Sequence, residues 1–147
     1  YNYNYLYIVS RPNILMFQYT FKIFYEDTDA GGVVYYANYL KFIERARTEM
    51  INELGFTLTT LLKDYDRLFL VKRIECDYIE SCKLEDGLNV QSRVLVLKNA
   101  SFEIEQNLLK ENKIIFRSKI LIACVNSLGA PSKIPNELHR LMKNKDG

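Results

Sequence analysis

Between Asn38 and Gly55 the chain carries one amphipathic helix pattern, and the long apolar patterns that follow have the period of strands. Leu40, Ile43, Ala46, Met50 and Leu54 recur at steps of three and four, and Phe42 and Ile51 widen the stripe. Lys41, Glu44, Arg45, Arg47, Glu49 and Glu53 occupy much of the remaining circumference. The spacing predicts a helix of about 17 residues. Asn38 reads as its N-cap, and Gly55 as the residue that stops it. Arg45 and Glu49 are spaced to pair along it, which contributes only about 0.2–0.5 kcal/mol.

Upstream, Gln18 to Tyr25 alternates Tyr19, Phe21, Ile23 and Tyr25 with Thr20, Lys22 and Phe24, the pattern of a strand. Residues 57–66 read as a short helical turn and loop. Four further strands are expected: Leu68 to Ile79, Leu88 to Leu97, Phe102 to Leu109 and Ile114 to Val125. In the second of these, Val90, Val94 and Val96 share a face opposite Arg93. In the third, Phe102 and Ile104 oppose Glu103 and Glu105. Lys98 to Ser101 and Lys110 to Lys113 read as turns, and Pro135 suits the first turn of a terminal helix, Asn136 to Lys143. Strand, long helix, then four strands in a meander is an α+β order. A five-stranded antiparallel sheet that curls around the helix buries its stripe. The outer sheet face and the edges then need cover, so a homodimer or a dimer-based homotetramer is expected.

At 147 residues one domain is the expectation. Residues 1–15, which open YNYNYLY and precede Met16, read as an N-terminal extension of cloning or upstream-start origin, with the domain spanning 16–147. A formal net charge of +2 is too small to imply a nucleic-acid partner. No apolar run approaches the roughly 20 residues that span a bilayer, so no membrane insertion is expected. Cys76, Cys82 and Cys124 are odd in number and lack CxxC spacing, which argues against a disulfide framework or a zinc site. They read as reduced thiols of a cytoplasmic protein, with Cys124 buried in a strand. His139, the single histidine, excludes a multi-histidine metal site and reads as a surface residue. Acid–base chemistry in such a chain rests on carboxylates, supported by tyrosine or backbone groups.

The segment Tyr25 to Glu49, YEDTDAGGVVYYANYLKFIERARTE, is the most distinctive in the chain. It resembles the 4-hydroxybenzoyl-CoA thioesterase family, and most closely its YbgC-like branch. The resemblance extends more weakly over residues 17–140. It implies the hotdog fold and hydrolysis of acyl-CoA thioesters, with no cofactor and no metal. It also implies that Asp29, the second aspartate of the D-x-D loop, carries the chemistry. The backbone N–H of Tyr36 is implied to meet the thioester carbonyl. Close members carry histidine at that position, so a backbone donor survives the exchange and a side-chain acid–base role does not. Gly31, Gly32, Tyr35 and Asn38 are the implied substrate contacts. Tol–Pal envelope machinery is an implied context.

The chemistry is consistent on its own terms. A thiolate leaves readily, so the reaction needs mainly a polarised carbonyl and a nucleophile. One preorganised N–H donor is worth about 2.7–4 kcal/mol in hydrolases, and a helix start adds a smaller positive field. Asp29 can attack directly, giving an acyl anhydride, or activate water. Asp27 reads equally as a hydrogen-bond anchor, and Tyr35, Tyr36 and Tyr39 equally as packing residues; Glu44 reads as a solvated residue or a partner of Arg47 before a pocket-lining one. Arg45, Arg47, Lys72, Arg73 and Lys133 are candidates for the CoA phosphates. The expected acyl donor is a short- or medium-chain or aromatic acyl-CoA, or an acyl carrier protein. A non-catalytic module that binds such a ligand, and a hotdog dehydratase, are the alternatives, the latter disfavoured because no histidine lies near the loop.

Overall fold

The apolar stripe of the helix and the alternation of the strands meet in one interface. A computed structural model describes residues 15–143. In chain order these form β1 (Phe17–Lys22), a 3-10 turn (Tyr25–Asp27), α1 (Asn38–Glu53), α2 (Leu58–Tyr65), β2 (Leu68–Tyr78), β3 (Gly87–Leu97), β4 (Ser101–Lys110), β5 (Lys113–Val125) and α3 (Asn136–Met142). The extension expected over residues 1–15 lies, apart from Leu15, outside the described residues.

The strands form one antiparallel sheet in the order β1-β3-β4-β5-β2. This corrects the four-strand meander. Only β3, β4 and β5 follow one another; β2 sits at the far edge against β5, and β1 takes the outer side of β3. Alternation tells which face of a strand turns inward, but not which strand it lies beside.

Tyr39, Phe42, Ile43, Ala46 and Met50 of α1 are buried with Val90, Phe102, Ile104, Leu108, Phe116, Ile120 and Ile122 of the central strands. Each of the larger of these side chains, the Val, Ile, Leu, Met and Phe residues, contributes about 1.5–3 kcal/mol on full burial. A polar pin crosses this apolar layer. Gln106 Nε2 donates to the Ile43 carbonyl at 2.9 Å and to Ser92 Oγ at 3.0 Å, while Ser118 Oγ donates to the Gln106 carbonyl. It ties the middle of α1 to β3, β4 and β5.

Several local expectations are corrected. β1 stops at Lys22, and Tyr25 is 82% exposed in the 3-10 turn. Asn38 is the first helical residue, and Ala37 precedes it without a side-chain cap. Gly55, at φ +93°, ends α1 as expected. Residues 57–66 hold a capped helix, α2, whose Thr57 Oγ1 accepts from the Thr60 N–H. A register shift between Val94 and Val96 turns Val96 out of the buried face. No ion pair joins Arg45 to Glu49, or Glu44 to Arg47, among the described residues. His139 is half-buried, and its Nε2 lies out of water without a partner among the described residues.

Candidate active site

The loop from β1 to α1 is built around one buried carboxylate. Asp27 Oδ2 accepts from the Phe24 N–H at 2.9 Å. The Asp27 carbonyl accepts from the Tyr35 N–H at 3.0 Å and from Asn38 Nδ2 at 2.9 Å. Asn38 therefore fastens the first turn of α1 to the loop, and Asp27 is the anchor on which both ends of the loop close. Val34 donates to the Cys82 carbonyl, and Val33 bridges to Lys83, so the loop is also held by the connection from β2 to β3.

Asp29 stands at the tip. Its N–H donates to the Val33 carbonyl at 2.9 Å, and its carbonyl accepts from the Gly32 N–H at 3.0 Å. Gly32 has φ +80°, a conformation that costs other residues about 1–2 kcal/mol. The Gly31 N–H donates to Asp29 Oδ1 at 2.8 Å. A Cβ at Gly31 would lie 3.1 Å from that same oxygen and press on the carboxylate. The two glycines thus aim Asp29 into solvent while leaving Oδ2 uncommitted among the described residues.

Tyr36 lies between this tip and α1, 63% exposed. Its N–H has no hydrogen-bond acceptor among the described residues, as a free donor just ahead of a helix start should. Its carbonyl accepts from the Tyr78 hydroxyl at 2.8 Å. Tyr35 meets the Tyr36 ring edge-on at 5.0 Å. Behind them Tyr78 packs on Tyr39 and Phe116, and the Tyr39 hydroxyl contacts Cys82 Sγ at 3.3 Å. Burial, and then the Cys82 contact, pushes the Tyr39 phenol far above its ordinary value. Burial likewise raises Tyr78 and Cys82. These three groups stay protonated at neutral pH and act as neutral supports of the loop.

Tyr78 and Cys82 carry no mark in the sequence. The alternation of β2 places Tyr78 on a face, but its meeting with Tyr36 depends on the sheet order. The proposed phosphate contacts are scattered. Arg73 is ion-paired with Glu75, Arg47 is half-buried, and Arg45, Lys72 and Lys133 are exposed on separate elements. Among the described residues no cluster of His, Cys, Asp and Glu could hold a metal ion. No helix there is long and apolar enough to cross a membrane.

Residues 25–141, from the loop to the terminal helix, match the family model of the thioesterase-like superfamily. The chain belongs to this superfamily. Similar relatives include the acyl-CoA thioesterase YbgC of Haemophilus influenzae, 42% identical over 124 residues, which covers 83% of this chain and 90% of that protein. The acyl-CoA thioester hydrolase YbgC of Escherichia coli O157:H7 is 33% identical, covering 86% of this chain and 95% of that protein. Among solved structures, a gentisyl-coenzyme A thioesterase superposes with a TM-score of 0.78 at 26% identity, covering 85% of this chain and 98% of that one. The α+β hotdog fold of the thioesterase-like superfamily is the fold found here, with one five-stranded sheet curled around α1.

Proposed function

We propose that this chain is an acyl-CoA thioester hydrolase with Asp29 as its catalytic carboxylate. The observation that carries the reading is the pairing, across one short loop, of an exposed carboxylate with an unengaged N–H at a helix start. The Tyr36 N–H would receive the thioester oxygen as it gains charge, with the α1 dipole in support. Asp29 would attack the carbonyl carbon, or take a proton from an attacking water. In either route the C–S bond breaks and CoA leaves as thiolate; after direct attack, water then hydrolyses the acyl anhydride, releasing the acid and restoring Asp29. Gly31 and Gly32 keep the approach open, and Tyr35 flanks it. The same chemistry serves a pantetheine thioester on an acyl carrier protein. The names of the Haemophilus and Escherichia relatives point the same way.

The working unit in this reading is a pair of copies joined at β2. From Leu70 to Tyr78 every residue of β2 is exposed, including Leu70, Val71, Ile74 and Tyr78. Tyr36, which is bonded to Tyr78 through its carbonyl, adds to the same apolar surface. An uncovered apolar edge strand favours pairing with another strand, and a second copy offers an identical edge.

Thiol release from a panel of acyl-CoAs and acyl carrier protein thioesters tests the chemistry. Asp29→Asn keeps size and polarity but removes charge and basicity. Its turnover is expected to fall at least about a hundredfold, roughly 2.7 kcal/mol of transition-state stabilisation. Equal turnover by the variant, or binding without turnover by the wild type, would instead mark a non-catalytic acyl-binding module.

A further inference from the structure

Between the C-terminal half of α1 and the start of β2 lies a cavity of about 150 Å³, walled chiefly by Ile51, Phe69, Val71, Phe102, Ile122 and Arg47. Its walls are apolar apart from the helix residues Glu44, Arg47 and Thr48. Arg47 is the anomaly. Its Nη1 is shut off from water and has no hydrogen-bond partner among the described residues. Burial lowers the affinity of the guanidinium for its proton, and the nearby Glu44 only partly offsets this. Glu44 itself is exposed; its Oε1 accepts from the Thr48 hydroxyl at 2.9 Å, and it forms no ion pair with Arg47.

A buried, unpaired N–H on a charged group is costly, and a carboxylate is its best complement because it accepts from the guanidinium fork in two places. The cavity therefore suits a group that is apolar along its length and anionic at its end. An apolar cavity of this size holds a ring or chain of only a few carbons.

The position of the cavity says whose substrate it would serve. Arg47 lies nine residues into α1 from Asn38, roughly 13 Å at the helical rise, and Tyr36 lies beyond the helix start. That is too far for a short acyl group bound at the same loop. Pairing of two β2 edges changes the geometry. In an antiparallel pair the start of one β2, with Phe69 and Val71, lies beside the end of the other. That end carries Tyr78, which is bonded to the Tyr36 carbonyl.

We propose that the Arg47 cavity of each protomer is the acyl-end subsite for the Asp29 loop of the second copy, and that it selects short acyl groups ending in a carboxylate. The inference rests on the thioesterase and paired-edge reading above.

Glutaryl-CoA and pentanoyl-CoA share a chain length and differ at the end that meets Arg47. Their kcat/KM values are measured with wild type, Arg47→Met and Arg47→Lys. Wild type is expected to favour glutaryl-CoA at least tenfold. Arg47→Met should lower that preference at least tenfold, and Arg47→Lys should retain more of it than the methionine variant. No preference in wild type overturns the proposal, as does a preference that survives Arg47→Met. Either is the outcome if a carboxylate of the second copy already pairs with Arg47. If neither thioester is turned over, the acyl-CoA panel decides the hydrolase reading separately, and calorimetry on Asp29→Asn protein decides the subsite. Glutaryl-CoA binding at least tenfold tighter than pentanoyl-CoA, and only with Arg47 present, supports it; equal affinities overturn it.

Discussion

β4 and β2 lie on opposite sides of β5, are 10 and 11 residues long, and pair with it in the same antiparallel sense, yet they are used differently. In β4 every second residue from Phe102 to Leu108 is buried beneath α1. In β2 no residue is buried, although Leu70, Val71, Ile74 and Tyr78 are as apolar as their counterparts. α1 lies nearest β1 and β3 and buries its stripe with the inward residues of β3 to β5, which leaves the β2 edge bare. The apolar content of β4 is explained by the protomer alone. That of β2 is explained only by something that covers the edge.

The comparison is sharpened most by Ile104→Ala. Ile104 is fully buried beneath α1, so truncation should cost about 2–5 kcal/mol of unfolding free energy, read from urea denaturation. A cost below about 1 kcal/mol would mean that the site collapses easily and that β4 is no better packed than β2. Ile74→Lys tests the other side. It should leave the far-ultraviolet circular dichroism unchanged, separate the paired copies by light scattering, and lower thioester turnover. A variant that stays assembled would place the contact elsewhere than β2. The smallest effect is expected at the connection between β2 and β3. There burial alone would raise the Asp86 carboxyl, but the bonds from Lys110 Nζ and the Lys83 N–H outweigh it and hold the carboxyl below its usual range. A depressed carboxylate stabilises the fold above its unfolded pKa, and that contribution disappears as pH falls through the folded value. Asp86→Asn should therefore lower the denaturation midpoint at pH 7 and make less difference in acid. A difference that persists at pH 2 would assign it to packing.

Much of the candidate site was legible locally. Asp29, Gly31 and Gly32 make their contacts within a few residues of one another. The role of Asp27 stood open because an aspartate in a polar loop can anchor or react. Its burial and its bond to the Phe24 N–H show the anchor. Asn38 looked like a cap by residue type, yet its side chain reaches eleven residues back to Asp27, a contact no local pattern specifies. Tyr78 and Cys82 support the loop from the far edge of the sheet and from the following connection, where sequence separation hides them.

The sequence by itself determined most of the elements and their inward faces, though not the helix α2, the early end of β1 or the outward turn of Val96. Periods of 3.6 and 2 are properties of single segments, and the turn residues that separate them act over three or four positions. It also determined the carboxylate and the glycines that aim it. The tertiary structure alone decided the order β1-β3-β4-β5-β2, the pin from Gln106 to α1, the support of Tyr36 by Tyr78, and the exclusion of Arg47 Nη1 from water. Each depends on which surfaces come together when the sheet curls, and strands with the same alternation satisfy their own periods beside any neighbour.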